Sequence, residues 1–326
     1  MAKLGAAMAT GRKHPFSMTF ILTNRCNFQC DYCNIPAAAA DEMTTEEFCR
    51  AIDELADVGL SRAGFSGGEV LLRRDALQIV AHAKRRGLTT TLNSNAWLAE
   101  RHLDALAESL DLLVVSLDGP QPVHDLVRRQ KGSYERVIRV LDGARARGLP
   151  TATITVLTRD TMHVVDEVLA LAKEHGFWAY FQPAYEDCFR HEGGLDPAIG
   201  PRLFADLARR LGDAVTAGER VGNSAGYTER LANGPVFGDC SQCHAGRYFG
   251  TIMADGAMVP CHLTSTAQPV VNGRNLGFAN AFFSLPPPGP GPGCAISPYQ
   301  EMDLLFSFDH RAIRAALRRL AGSRVP

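Results

Sequence analysis

SMTFILTNRCNFQCDYC, residues 17–33, carries a short apolar run rich in β-branched and aromatic residues straight into three cysteines. The run 17–22 reads as a strand, and Cys26, Cys30 and Cys33, spaced C-x3-C-x2-C, read as the loop at its exit. The same kind of run recurs at 62–66, 88–93, 112–117, 151–157 and 177–182, each short and mostly apolar, as a strand covered on at least one face must be. Between them, residues 45–58, 75–86, 99–109, 134–147 and 163–175 repeat apolar side chains three or four apart, and 201–217 supplies a sixth such segment. The first is representative: Phe48, Ile52, Leu55 and Val58 share a face, and Thr44 with Glu47 forms a capping-box pattern. Gly59, Gly87, Gly148 and Gly176 follow successive helices, where a left-handed C-cap favours glycine. Six consecutive βα units with right-handed crossovers curl into a barrel or partial barrel, and a flat doubly wound sheet is the alternative.

The chain has 326 residues, 46% of them apolar and 21% charged, an ordinary globular composition. Its 34 basic and 35 acidic side chains leave a formal charge of −1, so no electrostatic excess favours nucleic acid or an anionic membrane surface. The apolar stretch within 1–14 is short and ends in Arg12, Lys13 and His14 rather than a cleavage site, and no run is long enough to span a bilayer. A soluble cytoplasmic protein is therefore expected. In that setting nine cysteines, an odd count, point to metal rather than disulfides. They group as Cys26, Cys30 and Cys33, then Cys240, Cys243, Cys261 and Cys294, with Cys49 and Cys188 apart, Cys49 reading as packing beside Phe48. The βα pattern breaks after 217, and PPPGPGPG at 286–293 suits neither helix nor strand interior. A core unit 15–220 and a smaller unit 221–326 are expected, the latter ending in a helix at 310–320 that is basic on one side and packs back.

Three thiolates suit an iron–sulfur cluster by softness, and three rather than four leave one iron open for catalysis. A zinc site borrowing a fourth ligand, such as a histidine, is the alternative. The other strand exits carry Ser66-Gly67-Gly68-Glu69, Asn93-Ser94-Asn95 and Ser116-Leu117-Asp118-Gly119. In a βα barrel all strand C-termini open onto one face, so these loops converge on one pocket.

The cysteine loop with aromatic Tyr32 before its last cysteine, followed by Gly67-Gly68-Glu69, resembles the radical S-adenosylmethionine (SAM) superfamily over roughly 17–218. The resemblance implies an α/β fold, a partial (β/α)6 TIM-type barrel, with a [4Fe–4S] cluster on Cys26, Cys30 and Cys33 and SAM chelating the open iron. Gly67, Gly68 and Glu69 would then meet the SAM amino group, and Asn95, Ser116 and Asp118 match positions that bind ribose or carboxylate. Arg139 is the expected partner of the SAM carboxylate through its two-donor fork, with Arg128 as rival and a plain solvated helix arginine as the other reading of Arg139. The implied chemistry is reductive cleavage of SAM to a 5′-deoxyadenosyl radical that takes a hydrogen atom from substrate, fed by a low-potential donor such as flavodoxin or ferredoxin.

Cys240-Ser241-Gln242-Cys243, Asp255-Gly256 and Pro260-Cys261-His262 are similar to the start of the auxiliary-cluster domain of the SPASM and shorter twitch branches. One auxiliary [4Fe–4S] cluster on Cys240, Cys243, Cys261 and Cys294 is implied, against a zinc knuckle completed by His262 or Cys294, with His244 and His262 as donors beside the ligands. After the sixth strand come Gln182, Tyr185, Glu186, Asp187 and Cys188. Cys188 could return a hydrogen atom and Glu186 or Asp187 could act as base, while a buried filler is the other reading of Cys188. The strand beginning at 17 leaves no room for the leader-binding segment that peptide maturases often carry, which favours a small-molecule substrate and a dehydrogenation, epimerisation or decarboxylation. A radical SAM peptide maturase is the alternative, and an iron–sulfur electron carrier or zinc-binding interaction protein is the alternative of another class.

Overall fold

The computed structural model describes residues 2–33, 35–37, 41–184, 201–233, 243–261, 271–287, 294 and 296–322. After α1 (Ala2–Thr10) the chain alternates β1 (Ser17–Thr23), α2 (Thr45–Asp57), β2 (Arg62–Gly67), α3 (Ala76–Arg85), β3 (Thr89–Ser94), α4 (Leu103–Ser109) and β4 (Leu112–Ser116). Two helices, α5 (Gln121–Val127) and α6 (Ser133–Ala146), precede β5 (Thr151–Leu157), and α7 (Val165–His175), β6 (Trp178–Pro183) and α8 (Pro201–Thr216) complete the repeat. The expected strands and helices are present with ends shifted by a few residues. Helix α5 was not expected: seven residues with Gln121, His124 and Asp125 among them are too short to show a period. The capping box of α2 forms, Thr44 accepting from the Glu47 N–H at 3.2 Å and donating its own N–H to Glu47 at 2.8 Å.

Strands β1 to β6 pair in parallel and in sequence order. Every crossover therefore steps the same way and puts its helix on the same side, whereas a doubly wound sheet would reverse order at a switch point. On that side Met18, Phe20 and Leu22 of β1 and Ala63 and Phe65 of β2 are fully buried together with Phe48, Ile52 and Leu55 of α2. The sheet curls. Tyr180 of β6 lies within electrostatic reach of Arg62 of β2, four strand steps away, a separation of roughly 19 Å were the sheet flat. This is the partial barrel.

On the free side of β1 lies β7 (Phe249–Ile252), also parallel, followed by antiparallel β8 (Ala257–Val259) and β9 (Val271–Asn272). Helices α9 (Ala225–Ala232), α10 (Gly273–Leu276), α11 (Phe278–Ser284), α12 (Ser297–Phe306) and α13 (His310–Gly322) make up the rest. The described part of 221–326 thus shares its sheet and its hydrophobic core with 15–220, and position 220 marks the end of the βα repeat rather than a gap in packing. Helix α12 packs under the barrel, with the Tyr299 hydroxyl 2.7 Å from Thr251 Oγ1 and Phe306 against Phe16 and Phe249. The outer edge of β6 is covered by the chain at 220–223, where the Asn223 amide bonds both the N–H and the C=O of Phe181. Among the described residues no helix is long and apolar enough to cross a membrane.

Helix α13 is held by Asp309, whose Oδ1 accepts the Arg311 and Ala312 N–H groups at 2.9 and 3.1 Å. The Arg311 guanidinium and these amides drive its carboxyl down to about 2. Asp309→Ala should lower stability by about 1 kcal/mol, as loss of an N-cap does. Because the folded-state value is depressed from 3.8, the wild-type contribution is whole above about pH 4 and fades as pH falls toward 2. Melts of the two proteins should differ at pH 7 and converge near pH 2, and equal melting at pH 7 would refute the cap.

Candidate active site

The exits of β1 and β2 cross in contact. Gly68 donates its N–H to Thr23 O at 2.8 Å and Glu69 donates to Arg25 O at 2.8 Å, so the root of the cysteine loop rests on the glycine pair. Gly67 sits at φ +151°, and a β-carbon there would lie 2.2 Å from Thr23 O, while one on Gly68 would lie 2.3 Å from Arg25 O. The side-chain space these glycines give up is filled by the backbone leading to Cys26, not kept clear for a ligand. Glu69 is fully buried, its carboxylate accepting from Leu71 N–H at 3.1 Å, Ser94 Oγ at 3.0 Å and Asn95 N–H at 2.7 Å. Burial pushes its pKa up, and these donors oppose the shift.

Within the loop Cys30 is buried and Cys26 and Cys33 are half-buried. Burial pushes the Cys30 thiol up to about 12 and raises the other two; Cys26 and Cys33 add to the shift of Cys30, and Cys26 adds to that of Cys33. The Phe28 N–H points at Cys26 Sγ at 3.4 Å and the Asn95 amide approaches it at 3.9 Å. Among the described residues no three His, Cys, Asp or Glu side chains converge tightly enough for a single metal ion. Three soft thiol donors on one short loop fit an iron–sulfur cluster with one iron left open.

Asn95 also donates to Asn27 Oδ1 at 2.8 Å and accepts the Trp97 N–H at 3.0 Å. The turn between them puts Ala96 at φ +69°, a strained value for a residue with a side chain. It lays the Trp97 ring edge-on to Phe28, centroids 5.7 Å apart, with the Arg136 guanidinium 4.2 Å above the Trp97 ring. Sequence reading missed both residues, although a tryptophan directly after Asn-Ser-Asn was the available signal.

At the exit of β4 Ser116 is half-buried and Asp118 wholly buried. Asp118 Oδ2 accepts from the Tyr32 hydroxyl at 2.8 Å and Arg128 Nε at 2.7 Å, and Oδ1 accepts the Val156 N–H at 2.9 Å. Its own N–H donates to His124 Nδ1 at 3.0 Å, which leaves the proton on His124 Nε2, a buried atom without a hydrogen-bond partner among the described residues. Burial, aided by the charge on Arg128, drives His124 down to about 4, so it is neutral. Arg139 stands elsewhere: on α6 it pairs with Glu100 at 3.1 Å, both half-exposed to solvent. The arginine at the site is Arg128, delivered by the unexpected helix α5. Glu186, Asp187 and Cys188 lie outside the described residues.

Of the second cysteine group, Cys240 and the adjacent His262 lie outside the described residues. Cys261 is buried, and Cys243 and Cys294 are half-buried against the main core. One face of α12 ties their surroundings together. Asp303 accepts the His244 N–H at 2.9 Å and lies 2.8 Å from His244 Nδ1 and from Arg230, while Gln300 donates to the Cys294 carbonyl at 2.7 Å.

Residues 20–172 match the family described as the radical SAM superfamily. A PqqA peptide cyclase of Xanthomonas axonopodis pv. citri is 36% identical over 257 residues, spanning 71% of this chain and 68% of that protein. The chain belongs to the radical SAM superfamily. A PqqA peptide cyclase of Rhizobium meliloti is 35% identical over 164 residues, 48% of this chain and 44% of that protein, so the match spans under half of that relative's length. Two solved structures share the fold. Streptococcus suis SuiB bound to S-adenosylmethionine superposes with a TM-score of 0.71 at 15% identity, over 87% of this chain and 69% of that one. For anSMEcpe with bound AdoMet the values are 0.67, 18%, 83% and 80%. As a radical SAM enzyme this protein uses a [4Fe–4S] cluster and S-adenosylmethionine.

Proposed function

We propose that this radical SAM enzyme acts on a peptide, joining two of its side chains. The observation that carries the reading is the 36% identity to a PqqA peptide cyclase, which extends over 71% of this chain. The small-molecule expectation has less behind it, since it rested only on the short run before residue 17. When bound, the cluster and SAM supply one-electron cleavage to a 5′-deoxyadenosyl radical that removes a substrate hydrogen atom. Cys26, Cys30 and Cys33 would hold the cluster. Ser116 and the Gly67 and Gly68 carbonyls are the expected SAM contacts with atoms to offer, because protein donors already occupy the carboxylates of Glu69 and Asp118. Glu186 or Asp187, which follow β6 in the sequence, would take the proton released as the two side chains join, whereas a hydrogen atom returned by Cys188 would quench the substrate radical, so Cys188 has no part in this step. A low-potential donor such as flavodoxin or ferredoxin would supply the electron.

The test is anaerobic incubation of reconstituted protein with SAM, dithionite and the short peptides encoded beside its gene. A peptide lighter by two hydrogens, formed together with 5′-deoxyadenosine, is the expected product. Deoxyadenosine formation stimulated by a low-mass metabolite fraction and by no peptide would refute the reading.

Cys240, Cys243, Cys261 and Cys294 would bind an auxiliary [4Fe–4S] cluster, an acceptor for the electron left over when two side chains are joined. A variant lacking Cys26, Cys30 and Cys33 should still hold about four irons per chain with charge-transfer absorbance. Zinc without iron in that variant would overturn the second cluster. If Cys294 is a ligand, Cys294→Ala should deplete this iron as severely as Cys261→Ala, and full retention would leave an open iron there instead.

A further inference from the structure

We propose that Asp118 is a positioning residue that locks the cysteine loop, not a ligand of SAM. The helix that makes this possible is α5, whose last turn and exit grip successive loop residues. Val127 O accepts the Asp31 N–H at 3.0 Å, Arg129 pairs with the Asp31 carboxylate, and Arg128 stacks 5.7 Å from the Tyr32 ring while holding Asp118. Asp118 in turn holds the Tyr32 hydroxyl, so one buried carboxylate joins the Cys30–Cys33 turn to the exits of β4 and β5. His124 fixes the Asp118 backbone from the same helix. Asp118 has no accessible surface, and protein donors already fill three of its roughly four acceptor positions, so neither a ribose nor an amino group can reach it. The charge matters because a hydrogen bond to an ionised partner is about twice as strong as a neutral one. Two iron ligands, Cys30 and Cys33, flank Tyr32 and are thereby held in place before any cluster assembles. Arg129 at φ +50° is strain accepted in the same bracket.

The test uses Tyr32→Phe, which keeps the ring and deletes one bond, with Asp118→Asn and Arg128→Lys. In cluster-free protein, amide exchange at 30–33 should quicken on the order of tenfold in Tyr32→Phe while β3 and β5 keep wild-type rates, as loss of one charge-assisted bond implies. In reconstituted protein, iron should pass to a chelator on the order of tenfold faster. Wild-type loop exchange and iron release, with only the KM for SAM raised, would show that these groups act on SAM directly and would overturn the lock. Exchange quickened uniformly along the chain would reduce the network to general support of the fold and would also overturn it. Should Asp118→Asn fail to fold, Tyr32→Phe and Arg128→Lys decide the matter alone.

Discussion

Replacing Cys26, Cys30 or Cys33 by alanine should reduce SAM cleavage to the level of a cluster-free control while the protein still folds. Two thiolates cannot hold a cluster whose three protein ligands sit on one short loop, so partial activity is not expected from any single change. The fold should survive because these side chains belong to a small satellite cluster with Phe28, Tyr32, Val127, Val156 and Ala184, apart from the main core. Loss of the most buried thiol, Cys30, removes about one methylene's worth of burial, about 1 kcal/mol. Assay of 5′-deoxyadenosine under dithionite, with iron content and a melting curve on each variant, checks both halves. Full turnover in any one variant would end the assignment of the loop.

Gly68→Val should be nearly as damaging, and through the cluster before SAM. Its β-carbon would meet the Arg25 carbonyl at 2.3 Å, and that atom is backbone one residue before Cys26, with no flexible side chain to give way. Gly67→Val adds a left-handed φ to a 2.2 Å approach on Thr23 O, and each variant should cost about 3 kcal/mol or more locally. Reconstituted iron should fall sharply in both. Gly64→Ala is the contrast, since the nearest atom to its β-carbon would be the side-chain Thr91 Oγ1 at 3.3 Å, and it should load iron normally. Normal iron with weakened SAM affinity in Gly68→Val would return the glycine to a purely ligand-facing role.

The repeat of strands and helices was legible because each strand must bury one face under a helix, which leaves a pattern that any single segment displays, as β1 does with Met18, Phe20 and Leu22. What joins segments was not. Arg128 and Arg139 both follow β4, and only the short helix α5 decides which one turns inward. The glycine pair announced a close approach, but the partner in that approach is the exit of a strand more than 40 residues earlier in the chain. The carboxylates of Asp118 and Glu69 looked like ligands by position because a sequence does not show how many protein donors a buried oxygen already has. In the C-terminal part, the cysteines were visible as a group, whereas nothing local in Phe249–Ile252 says that it pairs with β1.

That last pairing has a consequence for how the protein is made. Ser17 meets Phe249 across the β1–β7 ladder, 249 − 17 = 232 residues apart, while its other neighbour on the sheet, Arg62, is 62 − 17 = 45 residues away. At synthesis rates of about 5–20 residues per second, the segment that covers the open flank of β1 leaves the ribosome roughly 10–50 s after β1 itself. Until β7 is made the growing parallel sheet, which reaches six strands only once β6 has been added, has a bare hydrogen-bonding edge on β1, the strand that leads into the three thiols that must receive iron. Loading of the cluster and protection of the growing chain from self-association are thus set against the same clock, and conditions that slow elongation should reduce the yield of soluble, iron-bound protein more than they reduce synthesis.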